Sequence, residues 1–209
     1  MNYSAKQSIR FYFILVLIFV VVFIWSAINP YDRLTWFLEV LPALIALPIL
    51  VVSYNAFPLT HLLYVLILTH AIILMVGGHY TYAEVPLFNW LRDIFSLDRN
   101  YYDRVGHFFQ GFVPAMIARE LLCRKNIVKD GWQFFIVCCI CLSISAFYEL
   151  IEWWVAVMVG VAAMDFLGTQ GDVWDTQWDM FVALIGAICA QLFLKSWHNQ
   201  QLAELDRKL

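Results

Sequence analysis

Long apolar runs separated by short polar segments make up most of the chain. A helix needs about 20 apolar residues to cross the hydrocarbon core of a bilayer, and six runs approach that length. They predict transmembrane helices at residues 11–28, 36–53, 60–76, 104–122, 132–156 and 178–195. Since no soluble segment or internal repeat interrupts them, the pattern predicts one integral membrane domain over residues 1–209. The expected fold class is an all-α polytopic membrane helix bundle.

Three local features refine this pattern. The first run follows a basic start, as a signal peptide does, but it is too long and no small-residue cleavage site follows, so we expect a retained span. Pro42 and Pro48 lie inside the second run, where a membrane helix is expected to kink rather than end. In the longest polar connection, residues 77–103, the stretch VPLFNWLRDIF is compatible with a short interfacial helix.

Composition agrees with a membrane protein. Of the 209 residues, 63% are hydrophobic and 14% are charged, whereas soluble domains carry roughly 25% charged residues. Nine Trp and ten Tyr suit rings that anchor helices at the bilayer interfaces. The net charge of −3 gives no indication of nucleic acid binding, so the expected partner is the lipid bilayer.

Lysine and arginine set the expected orientation, because cytoplasmic loops of membrane proteins are enriched in them. If the N-terminus is cytoplasmic, nine of these residues lie inside and four lie outside. The nine are Lys6, Arg10, Arg119, Arg124, Lys125, Lys129, Lys195, Arg207 and Lys208, and the four are Arg33, Arg92, Arg99 and Arg104. Both termini are therefore predicted in the cytoplasm, with residues 77–103 and 157–177 outside.

In this topology nine acidic and histidine residues near the span ends fall close to the outer face. They are Glu39, His79, Asp103, His107, Glu149, Glu152, Asp172, Asp175 and Asp179. Several of them are three or four residues apart, so that each such pair shares one face of a helix. A charged side chain inside a membrane costs at least ~2.5–3.5 kcal/mol, so these faces are expected to turn inward and line one cavity.

The residue types in this predicted cavity suit catalysis and metal binding. His107, Glu149 and Glu152 are the candidate catalytic residues, with His107 or Glu149 as the general base. The candidate ligands of a divalent metal ion are His79, Asp103, His107, Glu149, Asp175 and Asp179. Carboxylate oxygens suit Mg²⁺, Mn²⁺ or Ca²⁺, and the histidines also admit Zn²⁺ or Fe²⁺.

The same residues also have structural interpretations. His107 and the two glutamates could form a buried polar network that only fixes helix packing. Arg104 is placed to neutralise the carboxylates near it. Glu39 fits a residue that reaches the membrane interface, and Asp172 fits a helix cap in a solvated loop.

Four segments carry a resemblance to known proteins: GGHYTYAEVP, DRVGHFFQGFVPA, YELIEWW and GTQGDVWDTQWDM. Together they resemble the YjdF family of bacterial inner-membrane proteins, a domain-of-unknown-function family, over essentially the whole chain. The resemblance implies a multi-pass protein of the bacterial cell inner membrane and no particular activity.

A second, more distant resemblance is to VanZ-like membrane proteins. It involves Asp103 with His107 at the start of one span, Glu149 late in the next, and Asp175 with Asp179 before the last. The chain departs from that pattern at Arg104, Glu152 and Asp179, where lysine, glutamine and asparagine are typical. The resemblance implies a shared polar-cored bundle over the last three spans.

Two classes of function follow from the predicted cavity. One is a metal-dependent membrane enzyme that acts on a lipid or an envelope precursor. The other is a small proton-coupled transporter or cation-binding module, in which a homo-oligomer would complete the pathway. A non-catalytic envelope factor, whose polar core only holds the bundle together, is the third interpretation.

Overall fold

The computed structural model describes residues 3–160 and 164–207, and the regular structure within them is helical. This confirms the all-α fold class and the polytopic membrane helix bundle. The α-helices are α1 (Tyr3–Ala27), α2 (Arg33–Ser53), α3 (His61–Tyr80), α4 (Pro86–Phe95), α5 (Tyr102–Arg124), α6 (Asp130–Val159), α7 (Met164–Leu167) and α8 (Asp175–Asp206). A 3-10 turn, Tyr82–Glu84, separates α3 from α4. Lys208 and residues 161–163, which the predicted topology uses, lie outside the described residues.

Five helices in the described part of the chain are long and apolar enough to cross a membrane, namely α1, α2, α3, α6 and α8. Their ends fall within a few residues of the predicted spans, with two exceptions. α1 begins at Tyr3, eight residues before the predicted start at residue 11. α8 runs to Asp206, well beyond the predicted 178–195, because the polar segment that follows the apolar run continues the same helix.

The fourth predicted span, 104–122, lies within α5, whose charged residues keep it out of that apolar set. The 23 residues of α5 extend about 35 Å at 1.5 Å per residue, which is enough to cross. α5 runs antiparallel to α6, since Cys123 contacts Gln133 at one end and His107 lies near Glu149 at the other. It therefore covers the same depth as a membrane-spanning helix.

Protein rather than lipid covers the charged residues of α5. The helix packs against α3, α6 and α8, and its Asp103, His107, Arg119 and Glu120 side chains are buried. Ionisable residues in membrane helices face the bundle interior for this reason, because hydrocarbon cannot solvate them.

α5 and α8 lie side by side and run in the same direction, since Arg104 bonds Asp179 at one end and Arg119 bonds Asn199 at the other. A Cβ atom on Gly111 would lie 1.7 Å from the Ala183 carbonyl oxygen, and one on Gly186 would lie 2.1 Å from that of Phe108. The two backbones are therefore in direct contact, which small residues allow in membranes. This register places the first turns of α8 beside the first turns of α5.

The two shortest helices lie in the connections. α4 confirms the short helix expected in VPLFNWLRDIF, and it exposes Leu87, Trp90 and Ile94 along one face. An apolar face of this kind is typical of a helix that lies in the membrane interface. α7 was not predicted by the sequence pattern; it lies in the 157–177 connection, where Phe166 is buried and packs with Leu38 of α2.

Candidate functional site

Ionisable side chains from α2, α5, α6 and α8 meet at the end of the bundle where α5 and α8 begin. We call this group the acidic cluster. It consists of Glu39, Asp103, Glu149, Glu152, Asp172, Asp175 and Asp179, with Arg99, Arg104 and His107. Apart from Asp172, each of its carboxylates is buried. The structure thus brings together the candidate residues of α5, α6 and α8.

Arg104 holds the aspartates of the cluster together. Its guanidinium donates hydrogen bonds to Asp103 at 3.0 Å, Asp172 at 3.3 Å and Asp175 at 2.6 Å, and it also donates to Asp179. A planar guanidinium with five N–H donors can serve several carboxylates at once. The interpretation of Arg104 as a neutralising residue agrees with this geometry.

Arg99, which no sequence pattern singled out, is the second arginine of the cluster. It is buried and donates to Asp175 at 2.5 Å, to Asp103 at 3.4 Å and to the Gly168 carbonyl oxygen at 3.1 Å. Gly168 has φ +60°, a conformation that glycine adopts without strain. The loop before α8 can therefore turn back over the start of α5, where both arginines fasten it.

His107 stands where the aspartates meet the glutamates of α6. Its Nε2 lies 3.5 Å from Oδ1 of Asp103 and 3.5 Å from Oδ1 of Asp179, and its Nδ1 lies 3.8 Å from Oε1 of Glu149. In two sets, potential ligand atoms lie within 4.8 Å of one another: Asp103, His107 and Asp179, and His107, Glu149 and Glu152. His107 is shared by both sets, and each offers the mixed oxygen and nitrogen donors that several divalent metals accept.

Glu149 has an oxygen that its surroundings do not satisfy. The residue is 7% exposed, and its Oε1 atom is buried without a hydrogen-bond partner. Leaving a buried acceptor without a partner costs about 1–3 kcal/mol, and more when the group is charged. A proton or a cation at this oxygen would remove that cost.

Glu39 belongs to the buried interior, so its interpretation as a residue at the membrane interface is wrong. It is 5% exposed, and its Oε2 accepts a hydrogen bond from Tyr148 Oη at 3.4 Å. Tyr82, in the turn after α3, also hydrogen-bonds Glu39. Burial raises the pKa of the Tyr82 phenol well above its ordinary value, so the phenol remains a donor.

His79 does not join the acidic cluster. Its Nδ1 lies 3.0 Å from the Ser26 carbonyl oxygen, which can only accept, so Nδ1 carries a proton. Its ring packs against those of Trp25, at 4.5 Å, and Tyr80. The expectation that His79 is a metal ligand is therefore corrected: it fastens α3 to α1.

A second buried polar group, absent from the sequence expectations, lies at the opposite end of α5. We call it the Glu120 network; it consists of Thr60, Arg119, Glu120, Arg124 and His198. Arg119 donates to His198 Nδ1 at 2.5 Å, so the His198 proton is on Nε2, which donates to Glu120 at 2.9 Å. Glu120 also accepts from Thr60 and Arg124. The sequence had suggested only cytoplasmic positive charges here.

The helices and their buried charges define a polytopic membrane protein with a polar core at each end of its central helix pair. The chain belongs to the family described as Predicted membrane protein (DUF2238), whose model matches residues 11–200. A relative, the Inner membrane protein YjdF of Escherichia coli (strain K12), is 53% identical over 182 residues, or 87% of each chain. The family resemblance is thus confirmed, whereas the resemblance to VanZ-like proteins stays a prediction. No solved structure matches the chain.

Proposed function

We propose that the acidic cluster binds a divalent cation at the outer face of the bacterial inner membrane, and that the bound cation serves a reaction on a lipid or an envelope precursor. The observation that carries this proposal is the excess of negative charge. Seven carboxylates, six of them buried, share two guanidinium groups and one imidazole. The inner-membrane location is supported by the relative's name, and the outer face by the distribution of lysine and arginine.

The charge excess requires compensation by protons or by a cation. Two like charges 4 Å apart repel by about 4 kcal/mol at the effective dielectric constant of a protein site. The arginines compensate mainly the aspartates of α8 and its preceding loop, because their shortest bonds go to Asp175 and Asp179. Among the basic groups of the cluster, His107 is the one that lies beside the glutamates of α6.

The best ligand set is therefore His107, Glu149 and Glu152, with Asp103 or Asp179 as a further oxygen donor. Oxygen donors with one imidazole suit Mn²⁺, Mg²⁺ or Zn²⁺. The sequence suggested Asp175 as a metal ligand, whereas here we propose a positioning role for it. Both arginines already bond its Oδ1, so it positions them instead of binding the metal.

A metal at this depth would meet the headgroups and linkages of membrane lipids. It could polarise a phosphoryl or acyl oxygen, and it lowers the pKa of bound water so that water becomes a nucleophile. Glu149 can bind the metal through one carboxylate oxygen and act as the general base through the other, because its Oε1 has no hydrogen-bond partner. His107 is the alternative base in a site whose ligands are carboxylates alone.

A second candidate function is a proton-coupled transporter. It is favoured by the Glu120 network, which places buried charged groups at the opposite end of α5 and α8. Ionisable residues buried in membrane helices commonly mark proton and ion pathways. In this case the acidic cluster would take protons or a cationic solute, and a homo-oligomer would complete the pathway.

Metal analysis of protein purified without chelator tests the proposal. We expect close to one divalent ion per chain in the wild type and loss of that ion in Glu149→Gln and Glu152→Gln. The matched control is Asp93→Asn, because Asp93 is an exposed carboxylate outside the cluster. Failure of Mn²⁺, Mg²⁺ and Zn²⁺ to bind the wild type would overturn the metal site, and proton uptake by liposomes containing the protein would then favour the transporter.

A further inference from the structure

A large apolar cavity lies between α1, α2, α3 and α5, on the predicted cytoplasmic side of the acidic cluster. Its volume is about 560 Å³, within the roughly 300–1,000 Å³ that ligand pockets usually occupy. Its walls include Phe19, Ala43, Leu47, Ala71, Leu74 and Val113. Pro42 of α2 and Pro114 of α5 also line it, and prolines inside membrane helices create such openings because they kink the helix.

The cavity is open to the bilayer rather than to water. Val16 and Val51, two of its lining residues, are 46% and 66% exposed, and both lie on membrane-spanning helices. What enters from that side is hydrocarbon. The lining is almost entirely carbon, so a water-soluble ligand would lose its hydration there without gaining hydrogen bonds.

The length of the cavity matches one lipid chain. On α3 its lining extends from Tyr64 to Leu74, and on α1 from Ile9 to Phe19. Ten residues of helix rise about 15 Å, which is half of the ~30 Å hydrocarbon core and comparable to one acyl chain. This half is the one nearer the predicted cytoplasmic side, so a lipid chain that starts near the acidic cluster enters the cavity from its outer end.

His70 connects the cavity with the acidic cluster. It lines the cavity, it interacts electrostatically with His107, and its Nε2 is buried without a hydrogen-bond partner. A buried polar atom without a hydrogen-bond partner raises the free energy of the folded protein. A polar group of a bound lipid would remove this cost by bonding to it. At the other end, the rings of Tyr12 and Tyr54 meet at 5.3 Å and line the cavity.

We propose that this cavity seats one acyl chain of a membrane lipid, whose polar part points past His70 toward the acidic cluster. The chain-binding part of the proposal stands on the cavity itself. Its consequence, that the ligand of the acidic cluster is a lipid and not a water-soluble envelope precursor, rests on the proposed function.

Photolabelling tests the chain-binding part directly. The probe is a phosphatidylethanolamine with a photoactivatable diazirine on one acyl chain, added to the full-length protein in nanodiscs. We expect labelled peptides to be enriched at cavity positions such as Leu47 and Leu74. Phe13 and Val20, which are exposed on α1, report contact with bulk lipid. Equal labelling of cavity and exposed positions in the wild type would overturn the proposal.

Two substitutions on α2 provide a matched pair. Ala46→Trp fills the cavity that Ala46 lines and should lower labelling at Leu74 severalfold. Ile45→Trp places the same ring at an exposed neighbouring position and should leave that labelling unchanged. If Ala46→Trp is labelled like the wild type, the cavity does not hold the chain. If Ala46→Trp does not fold, the test is made with the wild-type labelling pattern and with His70→Phe. This second variant should reduce labelling in the cavity, and unchanged labelling would contradict the proposal.

Metal content measured on the same samples separates this proposal from the previous one. Ala46→Trp should keep the divalent ion and lose labelling by the lipid chain. Glu149→Gln should lose the ion and keep the labelling. A metal-free wild type that is still labelled in the cavity would refute the metal site and leave the chain-binding site in place.

Discussion

Residues of the acidic cluster differ in the number of ion pairs that they form. Arg104 contacts four aspartates, and Asp175 receives bonds from both arginines. Asp172 keeps 28% of its side chain exposed and caps the following turn by accepting from the Trp174 amide at 2.9 Å. Charge neutralisation and the proposed metal binding therefore involve different members of the cluster, and substitutions can separate them.

Arg104→Gln should destabilise the protein strongly, because four aspartates would lose a cation that they share. Removal of one partner from a buried ion pair typically costs about 3–5 kcal/mol. The measurement is the midpoint of thermal unfolding in detergent. Arg92→Gln is the control, since the ion-pair partner of Arg92 is the exposed Asp93. Equal unfolding midpoints for the two variants would contradict the proposed neutralisation of the aspartates by Arg104.

The aspartates near α8 should give a graded response. Asp179→Asn and Asp175→Asn are expected to abolish metal content, the first by removing an oxygen 3.5 Å from His107 and the second by releasing both arginines. Asp172→Asn should reduce it only in part. If the first two variants instead keep their metal and unfold at a higher temperature, the carboxylates repel one another without serving a ligand.

Helical spacing was enough to find part of this site. Asp103 and His107 lie one turn apart on α5, and their shared face follows from sequence alone. Arg99 could not be found in this way, because its bonds depend on how the loop at Gly168 turns. Glu120 and His198 were missed because 78 residues separate them, and each resembles an ordinary residue near a membrane surface.

Among the helices, the α5–α8 pair determines where the candidate site forms. Its backbone contact at Gly111 and Gly186 leaves no room for side chains. The register of that contact brings Asp179 to His107. A shift along either helix would separate the aspartates of α8 from the arginines.

Gly186→Ala should destabilise the protein and lower metal content, because the new methyl group would lie 2.1 Å from a carbonyl oxygen of α5. Overpacking of this kind costs about 1–3 kcal/mol, and more when backbone must move. Gly131→Ala is the matched control, since nothing lies within 4 Å of its added Cβ. Thermal unfolding of both variants checks this, and a neutral Gly186→Ala would show that the helices are not in contact.

For the whole molecule, the directions of the last three long helices agree with alternating crossings of the membrane. α5 runs against α6 and alongside α8, as expected if all three cross the membrane. The apolar runs predicted the long helices because length and hydropathy decide membrane insertion. They did not predict α7 or the polar end of α8, which depend on contacts within the folded chain.

Reporter fusions should locate the loops. A fusion at Lys129 is expected to report the cytoplasm and one at Gly171 the periplasm, because lysine and arginine are concentrated on the first side. An alkaline phosphatase and a fluorescent protein at each position give opposite readouts. The same compartment at both positions would mean that α6 does not cross, and the outer location of the acidic cluster would then be wrong.

α8, which comes later in the chain, helps to bury the charged residues of α5. This order has a consequence for biogenesis. When α5 leaves the ribosome, α8 has not yet been synthesised, and the translocon would receive a segment that hydrocarbon alone does not favour. We expect α5 to remain near the translocon or at the membrane surface until translation reaches α8. A nascent chain that stops before Asp175 should therefore be a substrate for membrane proteases rather than a smaller stable protein.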